Sequence, residues 1–315
     1  MLKACILGYG NIATAHKKGY DALDNVELVG VCDIRKERRD MAAACGIAAY
    51  SDMLVMLEEQ KPDFVDICLP TFLHAEYAVR LLDMGYNVLC EKPMGRNMDE
   101  CRAMLDAAAR NNKHLMIGMC LRYNGHYDAL KRIATGGEYG RVISGSMYRV
   151  SPLPAWGWDD WFADGDKSGG VLLDMSIHDI DICRYIFGEP ERVFAACEHT
   201  AMRYGTSHSE LIYQDKVISV LGDWALAPSM SFGAGFKFNF EKATVTLDGK
   251  ELKVYTETEV KTIDVNSRSH MANEIAHFAA VLEGKATTDP NDSAKSIELV
   301  LKLKESADKG EVICR

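Results

Sequence analysis

The feature that most limits what this chain can fold into is the strict alternation of two patterns over its first 120 residues. Apolar runs KACILG, VELVGVC, FVDICL, NVLC and HLMIGM are separated by stretches of helical periodicity over Ile12 to Leu23, Lys36 to Cys45, Leu73 to Met84 and Met98 to Asn111. An apolar run without polar alternation is what a strand buried on both faces requires. Strands and helices taken in turn lead to a parallel sheet with right-handed crossovers.

Past residue 120 the character changes. A helix is predicted around Tyr127 to Ala134, ending at Gly136-Gly137, followed by the strand RVISGSMYRV. An aromatic, glycine-rich loop, PLPAWGWDDWFADGDKSGG, precedes a helix from about Leu172 to Phe187. Residues 191 to 265 read mostly as short strands, with TVTLDGKELKVYT forming a hairpin around Asp248-Gly249. Helices near His270 to Leu282 and Asp292 to Asp308 close the chain. At 315 residues the chain is too long for one typical core. The expected class is α/β, with a doubly wound parallel sheet over residues 1–120. Residues 121–315 are expected to form an α+β domain whose sheet is largely antiparallel.

The first strand runs into Gly8-Tyr9-Gly10-Asn11-Ile12-Ala13, a GxGxxA turn opening a helix. The first glycine permits the tight turn, the second lets backbone approach a pyrophosphate, and the small third residue lets helix and strand pack closely. The helix N-terminus then faces the phosphates. Asp33 ends the second strand, where a carboxylate can bond the adenosine ribose hydroxyls. These are the marks of a Rossmann dinucleotide site. A carboxylate at Asp33 repels a 2′-phosphate, so NAD is expected over NADP. Arg35 and Arg38 follow; they either soften that preference or are solvated charges on the next helix.

The formal net charge of −10 disfavours nucleic acid, which needs a basic surface. The opening MLKACILGYG lacks the longer apolar core of a secretory leader, and no apolar stretch is long enough to span a bilayer. The ten cysteines lie scattered without a CxxC pair, several of them in strand patterns, and read as reduced and mostly structural. A cytoplasmic protein acting on a small molecule is expected.

Two further constellations carry chemistry. Glu91-Lys92-Pro93 follows the NVLC strand, and in doubly wound sheets ligands sit beyond the carboxyl ends of strands. Alone, Lys92 reads first as a surface charge, the usual place of a lysine at a strand end. In GGVLLDMSIHDIDICRYIFG, Asp174, His178 and Asp181 are spaced by four and three residues, so on a regular helix they share one face. That face is either a solvated stripe or a site. A Zn or Mn site is conceivable from this donor set, but no additional ligand cluster supports one, and no metal is expected. Trp156, Trp158 and Trp161 offer indole faces for a sugar ring or for packing.

The GxGxxA turn, Asp33, Pro70-Thr71 with His74, Glu91-Lys92-Pro93, and Gly169-Gly170 with Asp174, His178 and Asp181 occur in a fixed order. As an ordered set, with the closing HMANEIAHFAAVLEG helix, they resemble the glucose–fructose oxidoreductase and inositol dehydrogenase family, Gfo/Idh/MocA. The resemblance implies cofactor contacts from Gly8, Gly10, Asn11, Ile12, Asp33, Pro70, Thr71, His74, Glu91 and Lys92. It implies Lys92 and His178 as the catalytic pair assisted by Asp174, with Lys92, Arg122, Asp174, His178 and Asp181 meeting the substrate. The implied reaction is hydride transfer between NAD and a secondary alcohol of a sugar, cyclitol or related polyol. Arg122 lies in Leu-Arg-Tyr-Asn rather than in a doubly basic pair, so the substrate class does not carry over. Three other readings stay open: a glycosidase using NAD transiently for elimination, a non-catalytic dinucleotide sensor, and reduction of an imine or biliverdin-like substrate. A sheet with one uncovered face also predicts a homodimer or homotetramer.

Overall fold

The computed structural model describes residues 1–198, 205–265 and 268–314. The chain divides into two compact units, one of residues 1–120, 156–158 and 268–295, the other of residues 121–155, 159–267 and 296–315.

The first unit opens with β1 (Leu2–Leu7), α1 (Asn11–Tyr20), β2 (Val26–Cys32), α2 (Lys36–Ala44), β3 (Ala48–Tyr50) and α3 (Met53–Gln60). It continues through β4 (Phe64–Ile67), α4 (His74–Asp83), β5 (Asn87–Glu91), α5 (Met98–Asn111) and β6 (Leu115–Gly118). The strands form one six-stranded sheet in the order β3-β2-β1-β4-β5-β6, parallel throughout. This is the expected doubly wound sheet, and its order reverses between β1 and β4, where the crevice for a ligand opens at the carboxyl ends. The β3–α3 pair is absent from the sequence reading. Its strand spans three residues, too short for a periodic signal, and α3 is announced only by Asp52, whose Oδ1 accepts from the Leu54 amide at 2.7 Å.

The second unit holds α6 (Gly125–Gly136), β7 (Val142–Val150), the short α7 (Gly165–Ser168), a π turn over Leu172–Ser176 and α8 (Ile177–Phe187). Then follow β8 (Arg192–Glu198), β9 (Thr206–Ile212), β10 (Val217–Asp223), β11 (Gly233–Phe240), β12 (Thr244–Asp248), β13 (Glu251–Tyr255) and β14 (Val260–Ile263). Residues 199–204 of this strand-rich span lie outside the described residues. α9 (His270–Leu282), α10 (Pro290–Lys309) and β15 (Ile313–Cys314) end the chain. The nine strands run β14-β13-β12-β11-β7-β10-β9-β8-β15 and are antiparallel except for the β7/β10 pair. The hairpin at Asp248-Gly249 forms between β12 and β13, with Gly249 at φ +59°. Alternate residues such as Leu211, Ile218, Val220, Phe238, Val245 and Val254 are buried on one face. The π turn and α8 pack over β7, β9 and β10.

α9, which sequence order puts in the second domain, packs against α1 of the first unit. Phe278 meets Phe64 of β4 edge to face, with centroids 5.2 Å apart. An apolar helical stripe declares that it needs a partner without saying which one.

Candidate functional site

In the first unit, Gly8 follows β1 at φ +88°, and a Cβ there would lie 2.8 Å from Leu69 Cδ2 and 2.9 Å from the Cys68 carbonyl. Only glycine fits both the backbone and the space. Gly10 is extended and precedes Asn11 and Ile12, the first residues of α1; no side chain caps this helix start, and a Cβ on Gly10 would meet nothing within 4 Å. An uncapped helix N-terminus behind open space suits an anionic group. Asp33, just past β2, is buried. Its Oδ2 accepts from the Tyr9 amide at 2.7 Å and its Oδ1 from the Arg35 amide at 2.8 Å. The carboxylate therefore ties the glycine turn to the end of β2. Arg35 also pairs with it at 3.3 Å through Nε, whereas Arg38 points to Met41, its Nη1 3.9 Å from Sδ. Arg39, not singled out in the sequence, donates to the carbonyls of Asp33 and Ile34, both at 2.8 Å.

Pro70 and Thr71 start a single 3₁₀ turn after β4 that leads into α4. His74, the first residue of α4, is buried between two carbonyl oxygens, Pro93 at 2.8 Å from Nδ1 and Leu69 at 2.9 Å from Nε2. Burial lowers its pKa, against the pull of both carbonyls. His74 thus joins the β4 loop to the turn after β5, where the Lys92–Pro93 peptide is cis. Lys92 is partly exposed at the carboxyl end of β5, and its amide donates to Glu91 Oε2 at 3.1 Å.

Behind that turn lies a cluster the sequence reading passed over. His16 of α1 is fully buried, with Nδ1 2.8 Å from Asp66 Oδ2 and Nε2 2.8 Å from Glu91 Oε1. The Tyr20 hydroxyl donates to the same Asp66 oxygen at 2.8 Å. Glu274, on α9, is also buried, and neither of its carboxyl oxygens has a hydrogen-bond partner. Burial and the Glu91 charge push its carboxyl well up. Atoms of His16, Glu91 and Glu274 come within 4.8 Å of one another, as do those of His16, Asp66 and Cys68. That spacing would admit a cation, but both ring nitrogens of His16 are already engaged by carboxylates. A charged residue inside an apolar strand run, Asp66 in FVDICL and Glu91 after NVLC, was the available signal.

In the second unit, Asp174 lies within the π turn and His178 in the first turn of α8. The π turn winds one residue more into its loop than an α-turn does, so regular helix spacing does not hold from Asp174 to His178. Nor is this a solvated stripe, because Asp174, Asp179 and Asp181 are all buried and His178 is partly so. Asp181 accepts from Arg122 Nε at 2.8 Å and Nη2 at 2.5 Å, and from the Ser296 hydroxyl at 2.6 Å. The fork-to-fork pair fixes the guanidinium plane of Arg122. Asp179, another residue the sequence did not flag, binds Arg149 through both oxygens at 3.0 and 2.9 Å. Burial pushes its carboxyl up while Arg149 opposes that. Trp161 stacks on Phe162 at 3.9 Å and is packed, whereas Trp156 and Trp158 are exposed. All ten cysteines are free, most are buried, and burial pushes thiols such as Cys5 up to about 12.

Residues 2–119 match a family model described as an oxidoreductase family with an NAD-binding Rossmann fold, and residues 127–222 match the GFO/IDH/MocA C-terminal domain. The chain is 31% identical to myo-inositol 2-dehydrogenase of Thermotoga maritima over 195 residues, 60% of this chain and 56% of that protein. It is 31% identical to D-glucoside 3-dehydrogenase of Escherichia coli over 214 residues, 66% of this chain and 60% of that protein. The matches therefore span somewhat more than half the length of these relatives. In fold the chain is similar to the WlbA dehydrogenase of Bordetella pertussis, solved with NADH and UDP-GlcNAcA. The TM-score is 0.84 at 21% identity, covering 100% of this chain and 97% of that one. Two domain models of one family, matched in order on a sheet of the corresponding topology, place the chain in the Gfo/Idh/MocA family of oxidoreductases.

Proposed function

We propose that this chain is an NAD-dependent dehydrogenase that reversibly oxidises a secondary alcohol of a sugar, cyclitol or related polyol. The observation that carries the reading is the uncapped start of α1 behind Gly8 and Gly10, with the Asp33 carboxylate fixed beside it. Relatives named for inositol and glucoside oxidation support the substrate class.

Gly8, Gly10, Asn11 and Ile12 would hold the pyrophosphate and Asp33 the adenosine ribose, with Pro70, Thr71, His74, Glu91 and Lys92 lining the way to the nicotinamide. When bound, the nicotinamide supplies a hydride acceptor. His178 takes the proton of the substrate hydroxyl, and Asp174 orients its imidazole. Lys92 stabilises the negative charge that develops on that oxygen. Arg122 contacts substrate hydroxyls, and Asp181, with both oxygens engaged, acts by holding Arg122. We place the protein in the cytoplasm as a homodimer or homotetramer. Free cysteines are consistent with that compartment, and among the described residues no helix is long and apolar enough to cross a membrane.

The test is a panel of inositols, glucosides, free sugars and diols assayed with NAD for NADH formation. Oxidation of at least one, with turnover lowered by roughly 10² to 10⁴ in His178→Ala and NAD affinity unchanged, is the expected result. Product formation without net NADH would move the assignment to elimination chemistry. NAD binding without turnover on any compound would favour a sensor.

A further inference from the structure

We propose that His16 is a positioning residue for Lys92, acting through the carboxylate of Glu91. The argument rests on the reading of Lys92 as a catalytic group, and otherwise on geometry within the first unit. Glu91 Oε2 receives the Lys92 amide, so the rotamer of Glu91 sets the plane of the peptide that carries Lys92 out of β5. Glu91 does not hold that rotamer alone, since its Oε1 is bound at 2.8 Å by His16 Nε2. The other nitrogen of His16 is bound at 2.8 Å by Asp66, which is itself steadied by Tyr20. α1, β4 and β5 thereby converge on one imidazole, and that imidazole grips the residue before Lys92.

The protonation state follows from the contacts. A neutral imidazole carries one N–H and one lone pair, and a lone pair 2.8 Å from a carboxylate oxygen is repulsive. With carboxylates on both nitrogens the ring is satisfied only as an imidazolium, each N–H making a charge-assisted bond. Burial disfavours the charged ring, but Asp66 and, after it, Cys68 outweigh burial and raise its pKa well above the ordinary value. Glu91, although buried, is held below the usual range by His16 and Lys92. Glu274, facing Glu91, His16 and Asp66, has its carboxyl pushed well up by burial and then by the Glu91 charge. The grip on Lys92 is thus an arrangement of charges buried beneath the end of β5. Supporting groups of this kind are what hold a reacting side chain to its productive geometry.

The test has two arms. In the first, protein carrying ¹⁵N-labelled histidine is titrated by NMR from about pH 5 to about pH 9, a range in which an ordinary histidine loses its proton. His16, assigned by loss of its signal in His16→Asn, should show two protonated nitrogens throughout. A single-tautomer neutral ring, or a midpoint near the ordinary value, overturns the clamp.

The second arm uses Glu91→Gln, which keeps the shape and lets the amide donate to a neutral His16. Turnover on the best substrate of the polyol panel should fall by roughly 10- to 100-fold, the usual effect of losing a supporting partner, with KM moved less than about threefold. Native turnover in Glu91→Gln, with His16 shown to be neutral, overturns the positioning role. Lys92→Met serves as the control. If it retains native turnover, the catalytic reading of Lys92 fails and the positioning role fails with it. The His16 spectrum still decides the clamp itself.

Discussion

At Asp33 one carboxylate accepts the Tyr9 and Arg35 amides, so its charge is anchored at the end of β2 instead of swinging with a free side chain. An anchored charge discriminates against a 2′-phosphate more sharply than a mobile one, although Arg35 beside it partly offsets the repulsion. NAD should bind at least roughly tenfold more tightly than NADP, about 1.4 kcal/mol. Asp33→Asn, which keeps an acceptor for the Tyr9 amide, should narrow that gap in calorimetric titrations. Equal affinities in the native protein would refute the role of Asp33. Glu274 gives a second residue-scale prediction. Its carboxyl pKa is raised in the folded state by burial and then by Glu91. The folded chain therefore keeps a proton that the unfolded chain releases above the ordinary glutamate range, and Glu274 costs stability increasingly as pH climbs toward its folded pKa. Glu274→Gln removes that loss. In urea unfolding, its advantage over the native protein should be small near about pH 5 and grow by up to about 1.4 kcal/mol per pH unit toward pH 8. A constant difference across that window would show that Glu274 is ionised when folded.

The elements differ in how plainly the sequence declares them. The five strand runs of the first unit are legible because they are mostly apolar without a two-residue alternation, Asp66 being an exception, and Lys92 at a strand end follows from the same pattern. The π turn at Leu172–Ser176 is not legible, because VLLDMSIH satisfies an α-helical period equally well, and what selects the wider turn is tertiary packing. One such contact is Gly222 of β10, where a Cβ would sit 2.0 Å from Ser176 Oγ and 3.1 Å from Ser207 Oγ. The Ser176 hydroxyl of the π turn lies directly against the strand backbone there. Gly222→Ala should destabilise the protein by about 1–3 kcal/mol, the usual cost of overpacking. It should also lower turnover, because the displaced turn carries Asp174. Ser176→Ala removes the obstructing hydroxyl, so the double variant should recover most of both losses. The coupling in a double-mutant cycle should exceed about 0.5 kcal/mol, and additive effects would place the clash elsewhere.

For the whole molecule, the sequence conveys two kinds of sheet but not the return of α9 to the first unit, nor the buried group of His16, Asp66, Glu91 and Glu274 that this return completes. Periodicity reports which face of an element is apolar; it is silent on which partner covers that face and on polar groups that pair out of sight of solvent. The same reasoning bears on the uncovered face of the nine-stranded sheet. Register puts Ser144, Ser146 and Tyr148 of β7 opposite Val217, Ser219 and Leu221 of β10, on the side away from the buried alternates Ile218 and Val220. Asn239 and Lys237 of β11 and Thr244 and Thr246 of β12 continue that face. Small hydroxyl side chains with Val217, Leu221 and Tyr148 make up the middle of this face, flanked by Lys237 of β11 and Glu210 of β9, a mixture of apolar and oppositely charged groups suited to a self-complementary contact about a two-fold axis. Light scattering should report a dimer or a tetramer at micromolar concentration. Leu221→Glu, near the middle of the face, buries an unpaired charge only if the face is covered. It should shift the protein toward monomer while leaving the far-UV circular dichroism unchanged. A native monomer, or an assembly indifferent to Leu221→Glu, would leave this face in water and assign the contact to another surface.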